Sequence, residues 1–126
     1  MKQTVLIVED EMVQRQVLSD KLKAEGFNVL TADDGEKGLK LALSDHPDLV
    51  LLDNRMPNMS GFAMLKRLRD QDAWGEKVPV IFFSNVEPGS RSEKEDLDAI
   101  QPTAYLIKSD TDLTEVVAKI REVLGM

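Results

Sequence analysis

Residues 48–53 of this chain have the sequence DLVLLD, an apolar run of four residues that ends at the carboxylate of Asp53. A short, continuous apolar run bounded by polar residues is typical of a strand that is buried on both faces of a parallel sheet. The same pattern occurs at residues 4–8, TVLIV, where Glu9 and Asp10 follow directly. The two runs predict an α/β fold with acidic side chains at its strand ends.

Outward from these runs, strands and helices alternate along the chain. The predicted strands are residues 4–8, 27–32, 49–52, 80–83 and 105–107, and the predicted helices are residues 12–25, a helix ending before Pro47, 60–71, a segment within 90–100 and 113–124. The apolar residues that recur at helical spacing in the first helix are Val13, Val17, Leu18 and Leu22. Right-handed crossovers place helices on both faces of a parallel sheet, which predicts a doubly wound arrangement. The segment 90–100 has only three apolar residues, all within 97–100, so we expect its helix to be the least firmly packed.

Length and composition limit the possible functions. A chain of 126 residues, 42% of them hydrophobic, has the size of one domain, residues 1–126, and the last predicted helix leaves no room for an output domain. The chain has no cysteine, which excludes thiol chemistry. It shows neither a signal sequence nor a membrane-spanning run, and its net charge of −7 opposes binding to a phosphate backbone. We therefore expect a cytoplasmic protein that binds neither membrane nor nucleic acid directly.

The polar side chains that could form a site follow the first, third, fourth and fifth predicted strands. Glu9 and Asp10 follow the first strand, Asp53 the third, Ser84 the fourth and Lys108 the fifth. Since ligands of parallel sheets bind at the carboxyl ends of the strands, we expect these side chains to converge. Crowded carboxylates repel one another, so either some of them are protonated or a cation offsets their charge, and Mg²⁺ prefers oxygen ligands shared with a phosphoryl group. The pattern predicts a magnesium site.

Asp53 is the predicted phosphoacceptor, because it follows the apolar run in the middle of the sheet. A carboxylate beside Mg²⁺ can attack phosphorus to form an acyl phosphate, while Ser84 and Lys108 contact the phosphoryl oxygens. Taken singly, each residue also has a purely structural interpretation: a helix cap or turn for Asp10 and Asp53, a turn for Ser84 and a solvated surface side chain for Lys108. Their shared position after strands favours a site.

Four segments resemble the receiver domains of two-component response regulators, over essentially the whole chain. They are residues 5–11, VLIVEDE; 48–53 with Met56, Pro57 and Gly61 after it; 80–84, VIFFS; and 104–108, AYLIK. The segment around Asp53 is the most specific of the four. The resemblance implies a doubly wound (βα)5, flavodoxin-like three-layer sandwich with parallel strand order 2-1-3-4-5.

The resemblance also implies a mechanism. Asp53 would take its phosphoryl group from a sensor histidine kinase or a histidine phosphotransfer protein. Asp10 and Asp53 would ligate Mg²⁺ directly, Glu9 through water and Arg55 through its backbone carbonyl. Activity would be limited to self-phosphotransfer and autodephosphorylation, so the protein would not be an enzyme acting on a separate substrate.

The resemblance further implies a conformational switch. Contact with the phosphoryl group would draw Ser84 inward, and Tyr105 would turn into the space that Ser84 leaves. This change would reshape the face formed by the fourth helix, fifth strand and fifth helix for a downstream protein partner. Tyr105 also has a simpler interpretation as a core or rim aromatic.

Several positions depart from the family pattern. Ser109 follows Lys108 where the family generally has proline, which puts the family's cis peptide bond at this point in doubt. Asn85 stands where a small residue is common, and with Arg55 it flanks the phosphoryl site, so we expect altered access of the hydrolytic water. Residues 101–103, QPT, replace a more usual turn before the fifth strand.

Two other functions compete with a phosphoacceptor. A haloacid-dehalogenase-like phosphohydrolase also uses a strand-end aspartate and Mg²⁺, but it needs an acidic residue two positions later, where this chain has Arg55. A receiver that works as a phosphorylation-independent adaptor is expected to lose site residues, whereas all five predicted ones are present. The phosphoacceptor is therefore the leading hypothesis.

The remaining unusual residues are predicted to be structural. His46 lies in the loop before Pro47, and neither a metal-binding nor a phosphohistidine role is expected for it. Trp74 is predicted to anchor the loop before the fourth strand, and the methionines at 56, 59 and 64 to fill gaps beneath the Asp53 loop.

Overall fold

The computed structural model describes residues 2–85 and 102–126. The strands are β1 (Thr4–Val8), β2 (Asn28–Ala32), β3 (Leu49–Leu52), β4 (Val80–Ser84) and β5 (Ala104–Ile107). The helices are α1 (Met12–Ala24), α2 (Gly35–Asp45), α3 (Gly61–Gln71), α4 (Ala73–Lys77) and α5 (Leu113–Val123), and a 3₁₀ turn at Lys108–Asp110 joins β5 to α5. The helix predicted within residues 90–100 lies outside the described residues.

The five strands form one parallel sheet in the order β2-β1-β3-β4-β5. The predicted doubly wound fold and its strand order are thereby confirmed. The register pairs Val8 with Leu52 and Ser84 with Ile107. The residues that follow these positions therefore leave the sheet at one common edge.

The sheet is apolar on both faces because its strands are buried between helices. Alternate residues of each strand point to opposite sides, so each face contributes to a separate core layer. One layer packs under α2 and α3 and includes Leu6, Val50, Phe82, Met64 and Leu68. The other packs under α1 and α5 and includes Ile7, Leu51, Ile81, Leu22 and Ile120.

Helix α1 buries a narrower stripe than its apolar residues suggest. Leu18 and Leu22 are buried, whereas Val13 is 64% exposed and Val17 is 41% exposed. With 3.6 residues per turn, Val17 lies about 100° around the helix from Leu18, outside the buried stripe. The apolar spacing of this helix therefore does not mark one buried stripe, because Val13 and Val17 lie outside it.

Local sequence signals explain where the helices begin and end. Asp34, Ser60 and Asp112 each accept a backbone N–H from the first turn of the helix that follows. Gly26 ends α1 with a φ of 95°, in the region that glycine adopts without strain. No described helix has both the length and the apolar composition needed to cross a bilayer.

Helix α4 is a short element that the sequence pattern did not predict. Its Trp74 ring stacks on the His46 ring, with centroids 4.2 Å apart and planes 12° apart. His46 follows the end of α2 and has a φ of 47°. The aromatic pair therefore links the end of α2 to the connection between α3 and β4.

The orientation of α1 leads to a prediction about stability. Leu22→Ala removes a fully buried side chain and should lower the free energy of unfolding by about 2–5 kcal/mol. Val13→Ala, the matched control on the same helix, should lower it by less than about 0.5 kcal/mol. Urea unfolding of both variants measures these changes, and similar losses would contradict the orientation described here.

Candidate functional site

The acidic residues meet at the carboxyl edge of the sheet because β1 and β3 are neighbours. The backbone N–H of Asp53 donates to the carbonyl of Val8 at 3.0 Å, which holds Asp53 beside the end of β1. Carboxylate oxygens of Glu9, Asp10 and Asp53 lie within 4.8 Å of one another. Among residues 2–85 and 102–126, no other three acidic, histidine or cysteine side chains are grouped so closely.

Lys108 reaches this group from the end of β5. Its ammonium donates to Glu9 Oε2 at 2.6 Å and to Asp53 Oδ2 at 3.3 Å. Glu9 and Asp53 are buried, and Asp10 is exposed. The structure therefore brings together four of the five side chains that follow the predicted strands, with one ammonium between two buried carboxylates.

Burial and nearby charges shift the pKa values of Glu9 and Lys108. Burial raises the pKa of Glu9 from 4.5 to about 7; the hydrogen bond from Lys108 lowers it in part, and the charge of Asp53 raises it further. Burial lowers the pKa of Lys108, but its hydrogen bond to Glu9 and the charges of Asp53 and Glu9 outweigh this effect, so that pKa is raised. Lys108 is therefore protonated, and Glu9 holds a proton more tightly than an exposed glutamate.

The chemistry of these side chains fits Mg²⁺. The three carboxyl groups outnumber the single ammonium beside them, so their ionisation leaves negative charge that a divalent cation would balance. All the potential ligands in the group are oxygens, which Mg²⁺ prefers. Asp10 is exposed and would be accessible to a hydrated ion.

The predicted flanking residues lie beside the group. Arg55 is exposed, and its backbone N–H is 3.4 Å from Asp53 Oδ1. Asn85 is also exposed and, with Lys108, lines a cleft of about 500 Å³ against α1. The described residues contain no cis peptide bond, so the bond after Lys108 is trans.

The two predicted switch residues are placed on neighbouring strands. Ser84 is buried at the end of β4 and is 1% exposed. Tyr105 in β5 is half-buried and stacks on Phe82 of β4, with ring centroids 5.2 Å apart. In this conformation the Tyr105 ring is part of the core layer under α2 and α3.

One residue near the group was missed by the sequence reasoning. The Arg15 guanidinium donates to the backbone carbonyls of Glu9 at 2.9 Å and of Asp10 at 3.3 Å. It therefore fixes the loop between β1 and α1 from the second turn of the helix. The sequence signal is weak, since a single arginine after an acidic pair is common on helix surfaces.

The chain matches the model of the response regulator receiver domain family over residues 5–120. It belongs to this family. Receiver domains are modules of two-component signalling systems and are generally not enzymes. The resemblance inferred from the sequence is thereby confirmed.

Two curated relatives cover nearly the whole chain. The probable transcriptional regulator ycf27 of Porphyridium aerugineum is 32% identical over 98% of the chain, and the transcriptional regulatory protein CpxR of Klebsiella pneumoniae is 38% identical over 95% of it. The chain spans 48% of the length of each relative. Both relatives are named as transcriptional regulators. The single-domain organisation of this chain and the absence of direct nucleic-acid binding stay predictions.

Solved structures have the same fold. The chemotaxis protein CheY4 of Vibrio cholerae superposes with a TM-score of 0.86 at 28% identity, covering 98% of this chain and 99% of that one. The receiver domain of the sensor histidine kinase PA1611 of Pseudomonas aeruginosa superposes with a TM-score of 0.85 at 25% identity, with complete coverage of both chains. That structure holds a magnesium ion coordinated in its active-site cleft.

The raised pKa of Glu9 predicts a pH dependence of stability. The protonated carboxyl of Glu9 favours the folded state, because its pKa is higher there than in the unfolded chain. This contribution to the free energy of unfolding is complete below about pH 4.5 and is lost as the pH rises through about 7. The free energy of unfolding of the metal-free protein should therefore fall more steeply across this window in wild type than in Glu9→Gln. Urea unfolding in the presence of a chelator measures both slopes, and equal slopes would contradict the assignment.

Proposed function

We propose that this receiver domain accepts a phosphoryl group on Asp53 from a phosphohistidine of a sensor histidine kinase or histidine phosphotransfer protein, with Mg²⁺ as cofactor. One observation carries the proposal: the Lys108 ammonium is within hydrogen-bond distance of both Glu9 and Asp53, and Asp10 completes the same group of carboxylates. A purely structural ion pair would not require a third, exposed carboxylate at the same point.

The proposed reaction is a direct transfer. A carboxylate oxygen of Asp53 attacks phosphorus, the bond between phosphorus and the imidazole nitrogen breaks with its electron pair going to the imidazole, and an acyl phosphate forms. Lys108 offsets charge on the phosphoryl oxygens, and Ser84 donates a hydrogen bond to one of them. When bound, Mg²⁺ neutralises further charge on these oxygens.

The ligands that we propose for Mg²⁺ surround Asp53. Asp10 and Asp53 would bind the ion directly, Glu9 through water and Arg55 through its backbone carbonyl. The short distances among the three carboxylates support this set. Arg55 and Asn85 are exposed beside the site and would control how water reaches the acyl phosphate during autodephosphorylation.

Helix α1 supports a protein as phosphodonor. Three large apolar side chains on this helix are exposed, Met12 by 69%, Val13 by 64% and Val17 by 41%. Met12 comes two residues after Asp10, and Val17 lines the same cleft as Lys108. Exposed apolar groups beside a reactive carboxylate favour docking of a protein surface over binding of a small polar substrate.

The output that we propose is a change in partner binding. Phosphorylation of Asp53 would draw Ser84 inward and let the Tyr105 ring move, which would reshape the face formed by the predicted helix within 90–100, β5 and α5. A downstream protein would read this face. Exchange with a kinase of the two-component type implies a cytoplasmic site of action.

Phosphorylation by a small-molecule phosphodonor tests the acceptor assignment. Incubation of wild type with acetyl phosphate and Mg²⁺ should add one phosphoryl group, read as an increase in intact mass, and a chelator should abolish the gain. Asp53→Asn lacks the nucleophile and should gain none. Asp70→Asn, which changes an exposed residue of α3, is the matched control and should gain the phosphoryl group to the same extent as wild type.

Two results would contradict the proposal. Labelling of Asp53→Asn to the same extent as wild type would place the acceptor elsewhere. A folded wild type that binds Mg²⁺ but remains unlabelled would favour a phosphorylation-independent adaptor.

A further inference from the structure

A pair of side chains outside the phosphoacceptor group connects the loop between β3 and α3 to the start of α2. Asn58 Nδ2 donates to Asp34 Oδ2 at 3.3 Å. The other oxygen of Asp34 accepts the backbone N–H of Lys37 at 2.7 Å, which caps α2. Asp34 is only 8% exposed. Both oxygens of a buried carboxylate are thus used, one on the helix and one on the loop.

The backbone of the loop also lies directly on α2. Asn58 has a φ of 67°, in the left-handed region that asparagine adopts more readily than most residues with a side chain. Its neighbour Met59 packs on Gly35, where an added Cβ would lie 2.5 Å from the Met59 carbonyl oxygen. The first turn of α2 and residues 58–59 therefore form one packed unit.

The opposite end of the loop is fixed to α3. The Asn54 carbonyl accepts the N–H of Gly61 at 2.9 Å, and the Asn54 side chain accepts the N–H of Phe62 at 3.0 Å. Between the two fixed ends lies Arg55, whose carbonyl is the proposed Mg²⁺ ligand. The N–H of Arg55 approaches Asp53 Oδ1 only at 3.4 Å, which is a weak contact. The position of the Arg55 backbone therefore depends on the two ends of the loop.

We infer that Asp34 and Asn58 are positioning residues, whose hydrogen bond holds the loop so that the Asp53 carboxylate and the Arg55 carbonyl are preset for a divalent cation. The role toward the cation rests on the proposed function, whereas the ordering of the loop does not. Partners that orient metal ligands typically change affinity by 10–100-fold when they are removed. A residue that only caps α2 would have no such effect.

Asp34→Asn separates the positioning of the loop from the capping of α2. The asparagine oxygen can still accept the N–H of Lys37, but its amide then faces the Asn58 amide, which must turn over to offer its oxygen, and the carboxylate charge that strengthens the original hydrogen bond is lost. The double variant Asp34→Asn/Asn58→Asp exchanges donor and acceptor and restores the hydrogen bond, and aspartate tolerates the left-handed region nearly as well as asparagine. Asp33→Asn is the matched control, since it removes the same charge one residue earlier and Asp33 pairs with Lys37.

Two measurements read the outcome. In metal-free protein, hydrogen exchange at the amides of residues 54–60 should be faster in Asp34→Asn than in wild type. By titration calorimetry, Mg²⁺ should bind about tenfold more weakly to Asp34→Asn. The double variant should return most of the way to wild type in both measurements. Asp33→Asn should resemble wild type in loop exchange, and its Mg²⁺ affinity should stay within about twofold of wild type. Asn58→Gly, which permits the same φ and removes the whole side chain, should show both effects at least as strongly as Asp34→Asn.

Unchanged loop exchange and Mg²⁺ affinity in both Asp34→Asn and Asn58→Gly would overturn the inference. A folded double variant in which neither loop exchange nor Mg²⁺ affinity returns toward wild type would overturn it as well. If wild type bound no Mg²⁺, the proposed function would fail, and the exchange rates of the metal-free variants would still support or overturn the positioning role.

Discussion

The ammonium of Lys108, held between the carboxylates of Glu9 and Asp53, is the interaction on which the site depends. Two buried carboxylates at one sheet edge repel each other, and removing the charged partner of a buried ion typically costs about 3–5 kcal/mol. Because Lys108 follows β5 and the carboxylates follow β1 and β3, this contact spans the sheet across β4. It therefore links the outer strand to the reactive centre.

The rest of the fold serves to keep these strand ends in place. The register of the sheet and the bond from Asp53 N–H to the Val8 carbonyl set the carboxylates side by side. Side chains also contact the loops beyond the strands: Arg15 donates to the carbonyls after β1, and Asn58 in the loop after β3 donates to Asp34. A rigid sheet thus carries its polar groups on loops that are themselves fixed by side chains.

Sequence reasoning failed where a residue's role depends on a distant part of the chain. Val13 and Val17 continue an apolar pattern in α1, yet only the position of the helix on the sheet decides which of its faces is buried. The second oxygen of Asp34 meets a residue 24 positions later, which no local sequence pattern shows. Helix α4 was missed because five residues are too few to show a helical period.

By itself, the sequence determined the strands, most helix ends and the position of the carboxylates, lysine and serine after the strands. These are local properties, since an apolar run, a capping aspartate or a glycine acts on its own few neighbours. Only the tertiary structure decided that Lys108 bonds more closely to Glu9 than to Asp53, and that burial raises the pKa of Glu9 to about 7. Glu9 and Lys108 are 99 positions apart, and their distance and burial exist only once the sheet has formed.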